Sequence, residues 1–194
     1  MTEKVKREVH IMQLREKSEI MDKDTAKRAV SRIAYEIVER NKGADELVMI
    51  GIQKRGVSLA KALVKRIEEI EGIRLPMGTL DITFYRDDLT RLSAHPIVEE
   101  TDIAFSIEGK KIILVDDVLY SGRTIRAAIE ELFDMGRPEK IELAVLVDRG
   151  NRELPITADY AGRIVPTSRA EYIRVEVNGD DEIERVSVCA KEEN

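Results

Sequence analysis

The run Ile112-Ile113-Leu114-Val115-Asp116-Asp117-Val118-Leu119-Tyr120-Ser121-Gly122-Arg123-Thr124 decides the architecture. Four apolar residues make the centre of a buried strand, KKIILVDD (110–117), which two carboxylates close. A tight glycine-containing turn then enters a helix predicted over 124–135 and ended by Gly136. Successive backbone N–H groups and hydroxyls at the start of a helix form an anion cradle. Two acids just ahead of it suit the vicinal hydroxyls of a sugar, or a metal bound to them, so the combination describes a site for a ribose 5-phosphate. An Asp-Asp pair alone reads as solvated acids at a strand end. The apolar run before it and the S-G-R-T after it reverse that reading. The rival phosphate motifs G-x-x-x-x-G-K-[ST] and G-x-G-x-x-G are absent.

Outward from this run, strands and helices alternate. Residues 22–42 carry apolar positions at Ala26, Ala29, Val30, Ile33, Ala34, Ile37 and Val38, the spacing of a helix capped by Asp22 and closed near Gly43. LVMIGI (47–52) reads as a buried strand, VSLAKALVKRIEEIEG (57–72) as a helix, LPMGTLDITFY (75–85) as a strand and IELAVLV (141–147) as another. YIRVEV and EIERVSV, joined by NGDD, read as a C-terminal hairpin over 171–189. Such alternation predicts an α/β fold, a central parallel sheet flanked by helices with ligands at the C-terminal ends of its strands.

Composition narrows the class. The chain has 194 residues, 43% hydrophobic and 36% charged, with net charge −6, so any nucleic-acid surface must be a local patch. One cysteine, Cys189, excludes an intramolecular disulfide and fits a reducing cytoplasm. No apolar stretch is long enough to span a membrane, and no signal peptide is expected. The two histidines, His10 and His95, form no metal-ligand cluster, so a metal would be held through oxygen.

Two further segments bear on chemistry. Gly51-Ile52-Gln53-Lys54-Arg55-Gly56 is a second strand end turning into a helix, and its Lys54 and Arg55 offer a compact cationic turn for a pyrophosphate leaving group. Alone, such a turn is more often a solvated loop. Asp81-Ile82-Thr83-Phe84-Tyr85-Arg86-Asp87-Asp88-Leu89 leads into a long polar excursion, about 85–105, of the length that lids have. Arg86 is its candidate phosphate contact, with a surface salt bridge to Asp87 or Asp88 as the alternative.

V-D-D-x-x-x-[ST]-G-x-T resembles the PRPP-binding motif of type I phosphoribosyltransferases. The resemblance implies that fold, with a small hood (about 148–170) and a flexible lid loop. It places Asp116 and Asp117 at the ribose hydroxyls, with Mg²⁺ riding on PRPP oxygens and water beside them. Val118, Leu119, Tyr120, Ser121, Gly122, Arg123 and Thr124 would receive the 5′-phosphate, and Lys54, Arg55 and Gly56 the pyrophosphate. Asp116, Asp117, Arg55 and Arg86 would carry catalysis. Purine-salvage relatives often hold another acid where this chain has Tyr120, which turns the expectation away from purines.

The stretches RIAYEIVERNKG (32–43), GIQKRG (51–56), DITFYRDDLT (81–90), ILVDDVLYSGRT (113–124) and LAVLVDRGNRELPITADYAGRIVPTS (143–168) are similar to the PyrR family of pyrimidine-operon regulators, which are also uracil phosphoribosyltransferases. That resemblance covers roughly 18–177 and leaves residues 1–17 as an N-terminal extension of a single domain, 18–194. It implies a uracil hood from Val147, Asp148, Arg149, Ile164 and Val165, although Asp148 and Arg149 fit a structural ion pair equally well. It also implies a homo-oligomer, and a UMP-responsive face for operon leader mRNA at Ser31, Arg32, Tyr35, Arg152 and Arg163. Tyr35 and Asn151 stand where relatives commonly have histidine, and Thr157 where they have arginine. Three functions follow: an enzyme that also binds RNA, an enzyme without RNA regulation, or a nucleotide-sensing RNA regulator with little activity.

Overall fold

The computed structural model describes residues 14–83 and 100–191. The elements run β1 (Leu14–Asp22), α1 (Lys23–Asn41), β2 (Leu47–Ile52), α2 (Arg55–Glu71), β3 (Met77–Leu80), β4 (Lys111–Leu119), α3 (Arg123–Met135), β5 (Lys140–Asp148), β6 (Tyr160–Ile164), β7 (Glu171–Val177) and β8 (Ile183–Lys191). Five strands make a parallel sheet in the order β3-β2-β4-β5-β6. Chain order reverses between β2 and β4, and open α/β sheets bind ligands at the strand ends beside such a switch. The two glycine turns found in the sequence lie there.

Alternation along β4 explains why its centre is wholly apolar. Ile113 and Val115 face the layer of Ile33, Ile37, Leu59 and Leu63 from α1 and α2. Ile112 and Leu114 face Ile125, Ala128 and Leu132 from α3 on the other side. A strand covered on both faces has no solvent side on which to place polar residues. α1 begins as expected, with the Asp22 side chain accepting from the Thr25 amide at 2.7 Å, a cap worth about 1 kcal/mol. It ends on Lys42 in the left-handed region, and the Gly43 amide returns to the Val38 carbonyl.

Two expectations are corrected. Within the described residues, the strand expected over 75–85 is β3 and stops at Leu80, where Asp81 turns the chain by accepting from the Thr83 amide and hydroxyl. The excursion expected through 105 is back on the sheet edge by Asp102, whose amide and carbonyl bond both backbone groups of Thr79.

A second, antiparallel sheet, β1-β8-β7, contains the expected hairpin plus an unexpected strand. β1 straddles the boundary drawn between residues 17 and 18. From Arg15 to Asp22 it buries only Met21, and ion pairs hold its exposed face. Arg185 bonds Glu16 and Glu19, and Lys17 bonds Glu171 at 2.5 Å. Exposed pairs of this kind contribute about 0–1 kcal/mol each, so the backbone ladder to β8 holds the strand more than they do.

Candidate active site

β4 carries Asp116 and Asp117 within its last turn of pleat rather than beyond its end. Asp116 is buried, 8% exposed, and accepts from the Asp117 amide at 2.9 Å. Burial, and then the neighbouring Asp117, push the Asp116 carboxyl well above the usual carboxylate range. Burial raises Asp117 as well, opposed by the positive charge of Arg55. The raised values mean that the strand end holds more carboxylate than its protein surroundings compensate. Sugar hydroxyls, or a hydrated divalent cation carried on a ligand, supply what is missing, so the donor chemistry fits Mg²⁺. Among the described residues no group of three or more His, Cys, Asp or Glu side chains could hold a metal. Oxygens beyond the Asp pair would therefore come from ligand and water.

Arg55 reaches this acid pair because α2 starts against β4. A Cβ on Gly56 would lie 2.5 Å from the Val115 carbonyl oxygen and 3.1 Å from the Asp116 Cα, so only glycine permits the approach. The Gln53–Lys54 peptide bond is cis. Lys54 and Arg55 are exposed at the start of α2. The expected cationic turn and acid pair are thus brought together.

On the other side of β4, Gly122 takes φ +92° and serves as the N-cap of α3. That left-handed conformation favours glycine. The Ser121 hydroxyl accepts from the Arg123 amide at 3.3 Å. Gly122, the N-cap itself, has no side chain to cap α3, so the first-turn amides beyond Arg123 and the positive end of its dipole could serve an anion. Ser121 and Thr124 are partly exposed there.

One alternative for the hood residues, an Asp148–Arg149 ion pair, is corrected. Asp148 and Arg149 do not pair with each other. Arg149 is 5% exposed and donates to the Thr167 hydroxyl and to the carbonyls of Ser168 and Glu171. Its guanidinium lies 4.1 Å from the centre of the Tyr120 ring. It packs between the Tyr120 turn and residues 167–171, with these donors engaged inside the protein. Asp148 pairs instead with Arg152 at 2.5 Å and accepts from the Gly150 amide. Val147 is fully buried in the sheet core. Ile164 ends β6 at 72% exposure, and the Val165 amide donates to the Asp148 carbonyl.

The RNA candidates separate into two groups. Arg152 is half-buried, and its guanidinium bonds the carbonyls of Leu119, Tyr120, Gly150 and Ile156. Ser31, Arg32 and Tyr35 do share the outer face of α1. Tyr35 is 52% exposed, and the Arg66 guanidinium of α2 sits 5.5 Å from its ring centre. Ser31 lines a groove with Lys27, Lys65 and Arg66. Arg32 bonds the carbonyls of Ala161 and Gly162, and exposed Arg163 bonds the Ile20 carbonyl. In the sequence nothing local distinguishes Arg66 and Lys65 from other helix-surface cations. Arg86 lies outside the described residues.

A parallel sheet with an acid pair and an anion cradle at its switch point defines a phosphoribosyltransferase. The phosphoribosyl transferase domain family matches residues 16–172. The bifunctional protein PyrR of Caldicellulosiruptor bescii is 60% identical over 170 residues, 88% of this chain and 93% of its own. That of Bacillus mycoides is 53% identical over 180 residues, 92% of this chain and all of its own. The hypoxanthine phosphoribosyltransferase of Trypanosoma cruzi superposes with a TM-score of 0.67 at 19% identity, over 91% of this chain and 98% of that one, a likeness of fold alone. The chain belongs to the PyrR family.

Proposed function

We propose that the protein transfers the 5-phosphoribosyl group of PRPP to uracil, giving UMP and diphosphate. It also binds pyrimidine-operon leader mRNA as a UMP-responsive regulator of transcription attenuation. The observation that carries the enzymatic reading is the meeting of Asp116, Asp117 and Arg55 beside the Ser121–Thr124 cradle, since it offers a place to each part of PRPP. Family membership supports uracil as the base and the operon as the second partner.

In this reading the cradle holds the 5′-phosphate while the acid pair accepts from the ribose hydroxyls, fixing the anomeric carbon. Displacement there passes through an oxocarbenium-like state. Uracil N1 forms the new bond as the bond to the pyrophosphate oxygen breaks, and the N1 proton leaves to the released pyrophosphate or to water. Arg55 and Lys54 stabilise the departing pyrophosphate, and Mg²⁺, when bound, adds charge neutralisation to it. The main work is positioning and electrostatic stabilisation. Main-chain groups near Ile164 and Val165 are suited to the two carbonyls and two N–H groups of uracil. Formation of labelled UMP from uracil and PRPP, with guanine and hypoxanthine in parallel, tests this. Preference for a purine overturns the base assignment.

For RNA, the α1 face with Arg163 is the surface we assign. Tyr35 offers a ring on which an unpaired base can stack, and Arg32, Arg66 and Arg163 offer contacts to phosphate. A fluorescence titration with the leader hairpin and a scrambled control, with and without UMP, should show specific, UMP-enhanced binding. Its logarithm should fall with log salt by roughly 0.7 per phosphate contact. Equal weak binding to both RNAs would leave the enzyme without the regulator. We also expect a homo-oligomer, and a monomer mass by light scattering at micromolar concentration would contradict it.

A further inference from the structure

The structure assigns Arg152 as a positioning residue for the 5′-phosphate end of the nucleotide, acting through the backbone of the turn that receives it. The assignment rests on the phosphoribosyltransferase reading above. Three successive carbonyls in that turn are held from the same side, by residues 149–154. The Leu119 carbonyl accepts from the Arg149 amide at 3.1 Å and from Arg152 Nη1 at 3.4 Å. The Tyr120 carbonyl accepts from Arg152 Nη1 at 2.7 Å. The Ser121 carbonyl accepts from the amides of Glu153 at 2.9 Å and Leu154 at 3.1 Å.

In a planar trans peptide the C=O and the following N–H point in opposite directions. Holding the carbonyls of Leu119, Tyr120 and Ser121 on one side therefore aims the N–H groups of Tyr120, Ser121 and Gly122 to the other, where the cradle lies. Of the three, the Tyr120 carbonyl is the one held by a side chain alone, so its peptide depends most on Arg152. The guanidinium is itself fixed, because Nη2 pairs with Asp148 at 2.5 Å and Nε donates to the Ile156 carbonyl at 2.8 Å. Arg149 stacked on the Tyr120 ring holds the same residue through its side chain. A lysine at 152 would keep a charge near Asp148 but lose the fork that spans Asp148, Tyr120 and Ile156 at once.

The test uses the full chain and two ligands that engage different ends of the site. UMP carries the 5′-phosphate, whereas inorganic pyrophosphate with Mg²⁺ is expected at the Lys54-Arg55 turn. In Arg152→Lys and Arg152→Ala, UMP affinity by calorimetry should fall about tenfold to a hundredfold, the loss of a charged hydrogen bond. The KM for PRPP should rise in parallel, kcat should change by less than about threefold, and pyrophosphate affinity should hold within about twofold. Added guanidinium ion should recover UMP affinity in Arg152→Ala. Should Arg152→Ala melt at assay temperature, Asp148→Asn and Arg152→Lys carry the same comparison. Unchanged UMP affinity, or equal loss of both ligands, overturns the assignment. A wild-type protein that binds neither UMP nor PRPP overturns the enzymatic reading beneath it.

Discussion

The two strand-turn-helix corners of this site share a plan and differ in what holds them. At the end of β4 the turn delivers two acids, one of them buried, and its backbone is bonded throughout to residues 149–154. At the end of β2 the turn delivers two exposed cations, and the Gln53 amide anchors its backbone to the Leu80 carbonyl at the sheet edge. Further along α2, Ser58 and Lys61 are tied to Asp181 in the turn between β7 and β8. The acid corner is built into the core, where a charge without its ligand is costly. The cationic corner is built at the surface, where water can share in solvating its charge. One corner offers fixed geometry, and in the proposed reaction the other offers charge to the departing pyrophosphate.

The glycines repeat the contrast. Gly56 is required by space, because a Cβ would overlap the β4 backbone. Gly122 is required by its backbone angle, since the nearest atoms to a Cβ there, on Leu154 and Ile156, lie at ordinary contact distance of 3.4 Å.

The largest effect should come from the acid corner itself. Asp117→Asn removes a charge that faces Arg55 and, in the proposed reading, the ribose, and Thr124→Val removes a hydroxyl at the start of α3. Each should lower kcat/KM for PRPP by about 1.5–3 kcal/mol, roughly tenfold to more than a hundredfold, with melting behaviour retained. Unchanged steady-state kinetics in both would show that the cradle lies elsewhere. Next, Gly56→Ala should cost about 1–3 kcal/mol of stability in urea denaturation as α2 is forced off β4. A wild-type midpoint would show that the close approach is not needed.

Gly122→Ala should cost less, about 1–2 kcal/mol, because it strains one residue's φ without a clash. Its signature should be weaker UMP binding alongside the stability loss. If Gly122→Ala proves costlier than Gly56→Ala, the distinction between space and angle fails. Smallest of all, Lys54→Gln at the exposed corner should weaken PRPP by less than about 1 kcal/mol, and the difference from wild type should shrink as salt rises. An effect as large as that of Asp117→Asn would mean that the cationic corner is as built-in as the acidic one.

The sequence by itself determined the parallel sheet and which residue types stand at its switch point. Apolar runs such as ILV at 113–115 can only be covered on both faces, and a glycine turn between acids and a helix start has few uses. It also determined α1, because Asp22 and the Gly43 region are local signals for a helix start and stop. Only the tertiary structure decided what depends on residues far apart in the chain. β1 is polar on its open face and is specified by β8, more than 160 residues away, so no local pattern announces it. Arg149 and Arg152 look alike in the sequence as cations in a polar loop. One is buried against Tyr120 and the other bonds the carbonyls of Leu119 and Tyr120, while Arg163, eleven residues beyond Arg152, remains exposed. A guanidinium has five donors on a long stem, and which carbonyls it meets is fixed by how loops from separate strands pack, not by its neighbours in sequence.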